Sequence, residues 1–107
     1  MVVPIISVLM TCYNAELTII ESIQSIIDQS YESWELIIID DGSTDGTINL
    51  ISELADDRIK IVPLLKNFGR TYALNLGLKI AQGQYIAILD SDDVSESTRL
   101  ARQVDLL

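Results

Sequence analysis

Four short apolar runs constrain this chain more than anything else in it. They are residues 5–10, 34–39, 58–62 and 85–89, and each is followed by a polar burst and then by a segment of helical spacing. None of the four has helical periodicity, and Ile, Leu and Val dominate, so each predicts a strand. The fourth, Tyr-Ile-Ala-Ile-Leu, predicts burial on both faces of a sheet. Between them, Ile19, Ile20, Ile23, Ile26 and Ile27 mark the apolar face of a helix over 15–29, with Glu21, Gln24, Ser25 and Asp28 on its other side. Ile48, Ile51, Leu54 and Ala55 mark a second helix, for which Ser43 or Thr44 is the expected cap. Ala73, Leu76, Gly77, Ile80 and Ala81 mark a third, whose small stripe lets it lie close on a sheet, and Gly83 is placed to end it in the left-handed conformation. Leu100, Ala101, Val104 and Leu107 begin a fourth, with Ser95 or Ser97 as cap. Strand–helix repeated four times predicts the α/β class: an open, mostly parallel sheet with right-handed crossovers and helices on both faces. The third run is short, less apolar and stopped by Pro63, which cannot donate to a ladder, so it belongs nearer an edge.

The totals narrow what such a sheet can do. Sixteen acidic against 7 basic residues give a formal charge of −9, which argues against nucleic acid or an anionic membrane bound through a basic face. The single cysteine, Cys12, excludes an intrachain disulfide and reads as a small buried hydrophobe. There is no histidine, which removes a Ser-His-Asp triad, a Cys-His pair and a His-ligated zinc from within the chain. The start, Met-Val-Val-Pro, has no basic segment ahead of an apolar core, and no run approaches the roughly 18 residues of a membrane span; the expected setting is cytoplasmic. The 107 residues make one domain, and they stop inside a helical pattern, so residues 1–107 are expected to be a truncated part of a longer protein.

In a parallel sheet every strand ends at the same edge, and ligands bind beyond those carboxyl ends. The polar bursts that meet there are Thr11-Cys12-Tyr13-Asn14, Asp40-Asp41-Gly42-Ser43, residues 66–70 and Asp90-Ser91-Asp92-Asp93. Three carboxylates within four positions repel unless a positive partner sits among them, and a divalent cation with hard oxygen ligands serves. Taken alone, the cluster is equally a solvated turn that caps the next helix. The glycines form neither Gly-x-Gly-x-x-Gly nor Gly-x-x-x-x-Gly-Lys-Ser/Thr, so phosphates are not cradled by those loops. A diphosphate would instead be neutralised by a metal on Asp92, helped by Arg70 or Lys66. A planar base would stack on Tyr13 and offer an N–H to Asp41. The blander readings are an Asx turn at Asp41, a cover over the first helix at Tyr13 and an ordinary surface ion pair at Arg70. The functional reading requires Tyr13, Asp41 and Asp92 to meet around one uridine-sized hollow.

Four segments carry a resemblance: Ile-Ser-Val-Leu-Met-Thr-Cys-Tyr-Asn, Glu-Leu-Ile-Ile-Ile-Asp-Asp-Gly-Ser-Thr-Asp, Asn-Phe-Gly-Arg-Thr-Tyr-Ala-Leu-Asn-Leu-Gly and Tyr-Ile-Ala-Ile-Leu-Asp-Ser-Asp-Asp. In this order and spacing they resemble the family 2 glycosyltransferases of the Rossmann-like GT-A fold, over residues 5–107. The resemblance implies the nucleotide-sugar-binding half of such an enzyme, with a UDP-sugar donor, Mg²⁺ or Mn²⁺ and a carbohydrate or lipid-linked acceptor. It assigns Thr11 and Tyr13 to the base, Asp41 to its N–H, Asp90 and Ser91 to the nucleotide, and Asp92 to the metal. Glu16 falls on the donor-side loop and Arg70 near the diphosphate. It implies an inverting displacement whose carboxylate base lies beyond Leu107, along with the acceptor-binding half. The full protein would then work in the cytoplasm, at the inner face of the membrane. Two other functions stay open at this stage: a non-catalytic nucleotide-binding or assembly module, and an Asp-x-Asp phosphotransfer enzyme. Against the latter, the motif follows the fourth strand and is followed by Val94. An incomplete half would also leave apolar surface bare, which predicts self-association.

Overall fold

The computed structural model describes residues 4–54 and 56–105, with side chains of the last helix as far as Arg102. Strand β1 (Ile6–Cys12), helix α1 (Ile19–Ile27), β2 (Trp34–Asp40), α2 (Thr47–Ser52), β3 (Ile59–Pro63), α3 (Arg70–Ile80), β4 (Tyr85–Ile88) and α4 (Arg99–Asp105) follow in order. The four strands form one sheet, β3-β2-β1-β4, and each pairing is parallel. Strand alternation sorts the core into two layers. Val8, Met10, Leu36, Ile38 and Ala87 face Ile19, Ile23 and Ile26 of α1, Ile51 of α2 and Leu100 of α4. Leu9, Ile37 and Ile39 face Ala73 of α3 on the other side. The expected α/β class, parallel sheet and two helical layers are all present. No helix among the described residues is long and apolar enough to cross a membrane.

The small stripe on α3 works as its composition implies. Only Ala73 and Gly77 of that helix are buried, and a Cβ on Gly77 would meet Leu9 at 3.4 Å. Several expectations need correction. Strand β1 continues through Thr11 and Cys12, because Cys12 still pairs with Asp40 of β2; those two residues are not loop. Helix α1 begins only at Ile19, and residues 16–18 are turns. Gly46, not Ser43 or Thr44, occupies the N-cap position of α2, and the first amide of the helix, that of Thr47, is met by the Asp45 carboxylate. Ser95 and Ser97 contribute differently from helix caps: the Ser95 hydroxyl accepts from Arg99 and the Ser97 carbonyl accepts from the Ser30 amide. Helix α3 ends at Ile80 with Ala81 as its C-cap, and Gly83 is not left-handed; it is a site of close approach, where a Cβ would meet Ser7 N and Oγ at 2.7 Å. Strand β3 is an edge strand, as its composition suggests. Strand β4 is the other edge, and it is not buried on both faces: Tyr85, Ile86 and Ile88 are 40%, 42% and 47% exposed. Of the residues assigned to helical stripes, Ala55, Leu107 and the side chain of Val104 lie outside the described residues.

Candidate nucleotide and metal site

The strand order explains where a site forms. The chain runs β1, β2, β3 in one direction across the sheet and then returns to lay β4 on the far side of β1. The loops that leave β1 and β4 therefore diverge, and a crevice opens beyond the carboxyl ends of those strands. A hollow of about 480 Å³ lies there, lined by Thr11, Tyr13, Asn14, Ala15, Thr18, Arg70, Asp90, Ser91 and Asp92. That volume is within the range of small-molecule sites. Six of the residues expected to serve the site, Thr11, Tyr13, Arg70, Asp90, Ser91 and Asp92, share this one hollow. Tyr13 is half-exposed.

Carboxylate oxygens of Asp90, Asp92 and Asp93 come within 4.8 Å of one another, and all three residues are exposed. Such hard oxygen donors at that separation fit Mg²⁺ or Mn²⁺. Arg70 reaches across the hollow to Asp90, Nη2 to Oδ1 at 3.1 Å, with both side chains half-exposed. A pair as solvated as this is worth less than about 1 kcal/mol and is exchangeable for a phosphate oxygen.

Asp41 and Glu16 are not among the lining residues, so of the three side chains expected around one hollow Tyr13 and Asp92 line it and Asp41 does not. Asp41 is buried, and its two oxygens accept from the Phe68 and Gly69 amides at 2.7 and 3.0 Å. It fixes the 66–70 loop that presents Arg70. Glu16 accepts from the Gly46 amide at 2.8 Å and ties the β1 loop to the β2 loop. Asn14, which the sequence marked only as loop, does more. It adopts φ 50°, its amide donates to Ser43 Oγ at 2.8 Å, and its Oδ1 accepts from the Thr44 amide at 2.8 Å. Asparagine tolerates that backbone and mimics a turn with its side chain, which is the signal that could have singled it out. Asp45 accepts from the Thr47 hydroxyl and amide, which holds its carboxyl below the usual range and pins the start of α2. Beneath the rim, Asp40 is fully buried and accepts from Ser43 Oγ at 2.5 Å and from Cys12 Sγ at 3.4 Å. Burial first, and then the Asp40 charge, push the Cys12 thiol far up, so it stays protonated and inert, as its reading as a buried hydrophobe implies.

The sequence model of "Glycosyl transferase family 2" matches residues 7–107. Among curated relatives, "UDP-Glc:alpha-D-GlcNAc-diphosphoundecaprenol beta-1,3-glucosyltransferase WfgD" of Escherichia coli is 41% identical over 103 residues, which are 96% of this chain and 41% of that protein. Among solved structures, S. aureus TarS 1–349 in complex with UDP-GlcNAc superposes with a TM-score of 0.90 at 28% identity, over 94% of this chain and 30% of that one. The mannosyltransferase PcManGT of Pyrobaculum calidifontis, in complex with GDP-Man and Mn²⁺, gives 0.85 at 29% identity, over 94% and 31%. The chain spans about two fifths of the length of the curated relatives it matches.

Proposed function

The chain belongs to glycosyl transferase family 2, and on that premise we propose that it binds a nucleoside-diphosphate sugar, a UDP-sugar, through a divalent metal. One observation carries this reading: an aromatic ring and a carboxylate cluster, Tyr13 and Asp90–Asp92, line the same hollow at the topological switch of a parallel sheet. Tyr13 stacks the base, and Thr11 at the end of β1 borders it. Asp41 keeps lone pairs for a base N–H beyond the two amides it already accepts, since a carboxylate has about four acceptor sites. Asp90 and Ser91 face the ribose, and Asp92 is the principal metal ligand. Arg70 exchanges Asp90 for the diphosphate. Glu16 acts on the donor only through the loop it ties down.

The reaction proposed for the whole protein is inverting transfer to a carbohydrate or lipid-linked hydroxyl. When bound, Mg²⁺ or Mn²⁺ neutralises charge on the departing diphosphate. The residues of this chain orient the donor and hold its phosphates, and the general base that takes the acceptor proton stands in the part of the protein beyond residues 1–107. Relatives more than twice as long, one of them with a diphosphoundecaprenol-linked acceptor in its name, support that division and a lipid-linked acceptor; we place the whole protein in the cytoplasm at the membrane's inner face. The open edge of β4, with Ile86 and Ile88 bare beside it, is the surface on which a second copy of this chain docks.

Calorimetry with UDP, with and without Mn²⁺, tests the site. UDP is expected to bind weakly without metal and more tightly with Mn²⁺, and Asp92→Asn is expected to lower the affinity measured with Mn²⁺ at least tenfold while leaving the thermal midpoint within a degree or so. Equal affinity in wild type and variant would remove Asp92 from the metal.

A further inference from the structure

Helix α1 and the turn that ends it should present their polar side chains to water, but three of them are buried. Ser22, Ser25 and Gln29 are 1%, 8% and 5% exposed. Ser22 and Ser25 lie one turn apart on one face of the helix, and Gln29 follows just beyond its end. What covers them is the segment that follows the carboxylates. Ser22 Oγ donates to the Ser91 carbonyl at 2.7 Å. Ser25 Oγ accepts from the Ser95 amide at 3.0 Å, while its own proton goes back to the Ser22 carbonyl at 2.6 Å. Gln29 Nε2 donates to the Glu96 carbonyl at 2.7 Å, and its Oε1 accepts from the Leu100 amide at 3.0 Å. The Ser30 amide completes the row by donating to the Ser97 carbonyl at 2.7 Å. The bonded segments are about 70 residues apart in sequence, and residues 91–98 have no regular secondary structure of their own to hold them. Side chains of α1 and the residues just after it supply what a neighbouring strand would have supplied.

We propose that Ser22 is a positioning residue for the metal: its hydroxyl holds the carbonyl of Ser91, the residue between Asp90 and Asp92, and Ser25 and Gln29 clamp the rest of the segment so that the carboxylates keep one spacing. This rests on the reading of Asp92 as a metal ligand. The argument is one of preorganisation. Three exposed carboxylates on an irregular loop repel one another and spread in the absence of a cation, and any spread must be reversed on binding. A part-buried hydrogen bond to the backbone at the centre of the cluster limits that spread. Ser22 itself touches neither metal nor nucleotide. Its amide donates to the carbonyl of Thr18, which lines the hollow, so the same turn of α1 braces both walls.

The test measures Mn²⁺ binding directly, by electron paramagnetic resonance of free Mn²⁺ or by calorimetry without nucleotide, alongside metal-free UDP affinity. Ser22→Ala is expected to weaken Mn²⁺ binding roughly five- to tenfold, the loss of about one part-buried hydrogen bond, with metal-free UDP affinity unchanged. Gln29→Leu, which keeps the bulk, is the second variant; faster amide hydrogen exchange at Leu100 and weaker Mn²⁺ binding are expected together. Ser52→Ala, on the exposed face of α2, controls for serine loss in a helix. If Ser22→Ala and Gln29→Leu both bind Mn²⁺ like wild type while Asp92→Asn does not, the positioning role is overturned and the metal site stands. If Asp92→Asn binds undiminished, the metal reading falls first. A parallel loss of Mn²⁺ and metal-free UDP affinity in Ser22→Ala means a general defect and also overturns the role.

Discussion

Gly83 and Glu35 show how much of the sheet's amino-terminal end depends on single residues. A methyl group at Gly83 would meet Ser7 N and Oγ at 2.7 Å and the Ile6 carbonyl carbon at 2.9 Å, which is strand backbone that cannot move aside. Gly83→Ala is expected to cost on the order of 2 kcal/mol, read as a lower urea midpoint at constant m-value. Glu35 sits in β2 with only 3% of its surface exposed. Burial pushes its carboxyl up, but hydrogen bonds from Lys60, Ser7 and the Gln82 amide outweigh that and hold it below its ordinary value of 4.5. A depressed folded value means the stabilisation is full above pH 4.5 and is lost as pH falls through the folded value. Thermal midpoints of wild type and Glu35→Gln should therefore converge in strong acid and separate above pH 4.5. A constant gap from pH 3 to pH 7 would exclude this. Neither role was readable in the sequence. Gly83 follows a helical pattern and so reads as a cap, and Glu35 opens an apolar run and so reads as a strand end. Both owe their roles to partners 25 or more residues away.

At the scale of elements, helix α3 and strand β4 went opposite ways. The Ala73/Gly77 stripe was visible in sequence because side-chain size along one helix face is a local property. The exposure of β4 was not, because Tyr-Ile-Ala-Ile reads the same in the middle of a sheet as at its edge. The amides of Tyr85 and Leu89 point to β1, so the backbone groups of Ile86 and Ile88 point outward, where only the Ile88 carbonyl finds a partner among the described residues, Arg99 at 3.3 Å. Open strand edges flanked by apolar side chains pair with further strands. Sedimentation velocity of the chain is expected to show a concentration-dependent dimer, and Ile86→Lys with Ile88→Lys should return it to monomer without loss of helix or sheet signal in circular dichroism. A wild-type monomer at high concentration would count against docking through β4. The polar row along α1 and just past its end escaped notice for the same non-local reason: Ser22, Ser25 and Gln29 look solvated until the segment after β4 folds over them.

On the scale of the whole molecule, the decisive event is the return of the chain from β3 to the far side of β1. Strand–helix alternation announced a parallel sheet, and a parallel sheet announced a functional edge. Most of the site was readable for that reason. Asp41 and Glu16 were the exceptions: composition shows a carboxylate in a loop or after a strand but not which amides will reach it first. Binding at the switch point is expected to stabilise the fold as a unit, by about 2.7 kcal/mol with UDP and Mn²⁺ at a hundredfold excess over Kd. Differential scanning calorimetry would show one transition moving upward. Movement of only part of the heat absorption would mean that the rim unfolds separately from the sheet. The lacing of the rim has a practical side. Asn14 reaches Ser43 and Thr44, Glu16 reaches Gly46, and Asp41 reaches Phe68 and Gly69, so the turns after the first three strands are one interlocked piece. A chimera that transplants one of those turns from a relative with another donor inherits mismatched partners on its neighbours. Donor preference should transfer between such enzymes only when all three turns are grafted as a set.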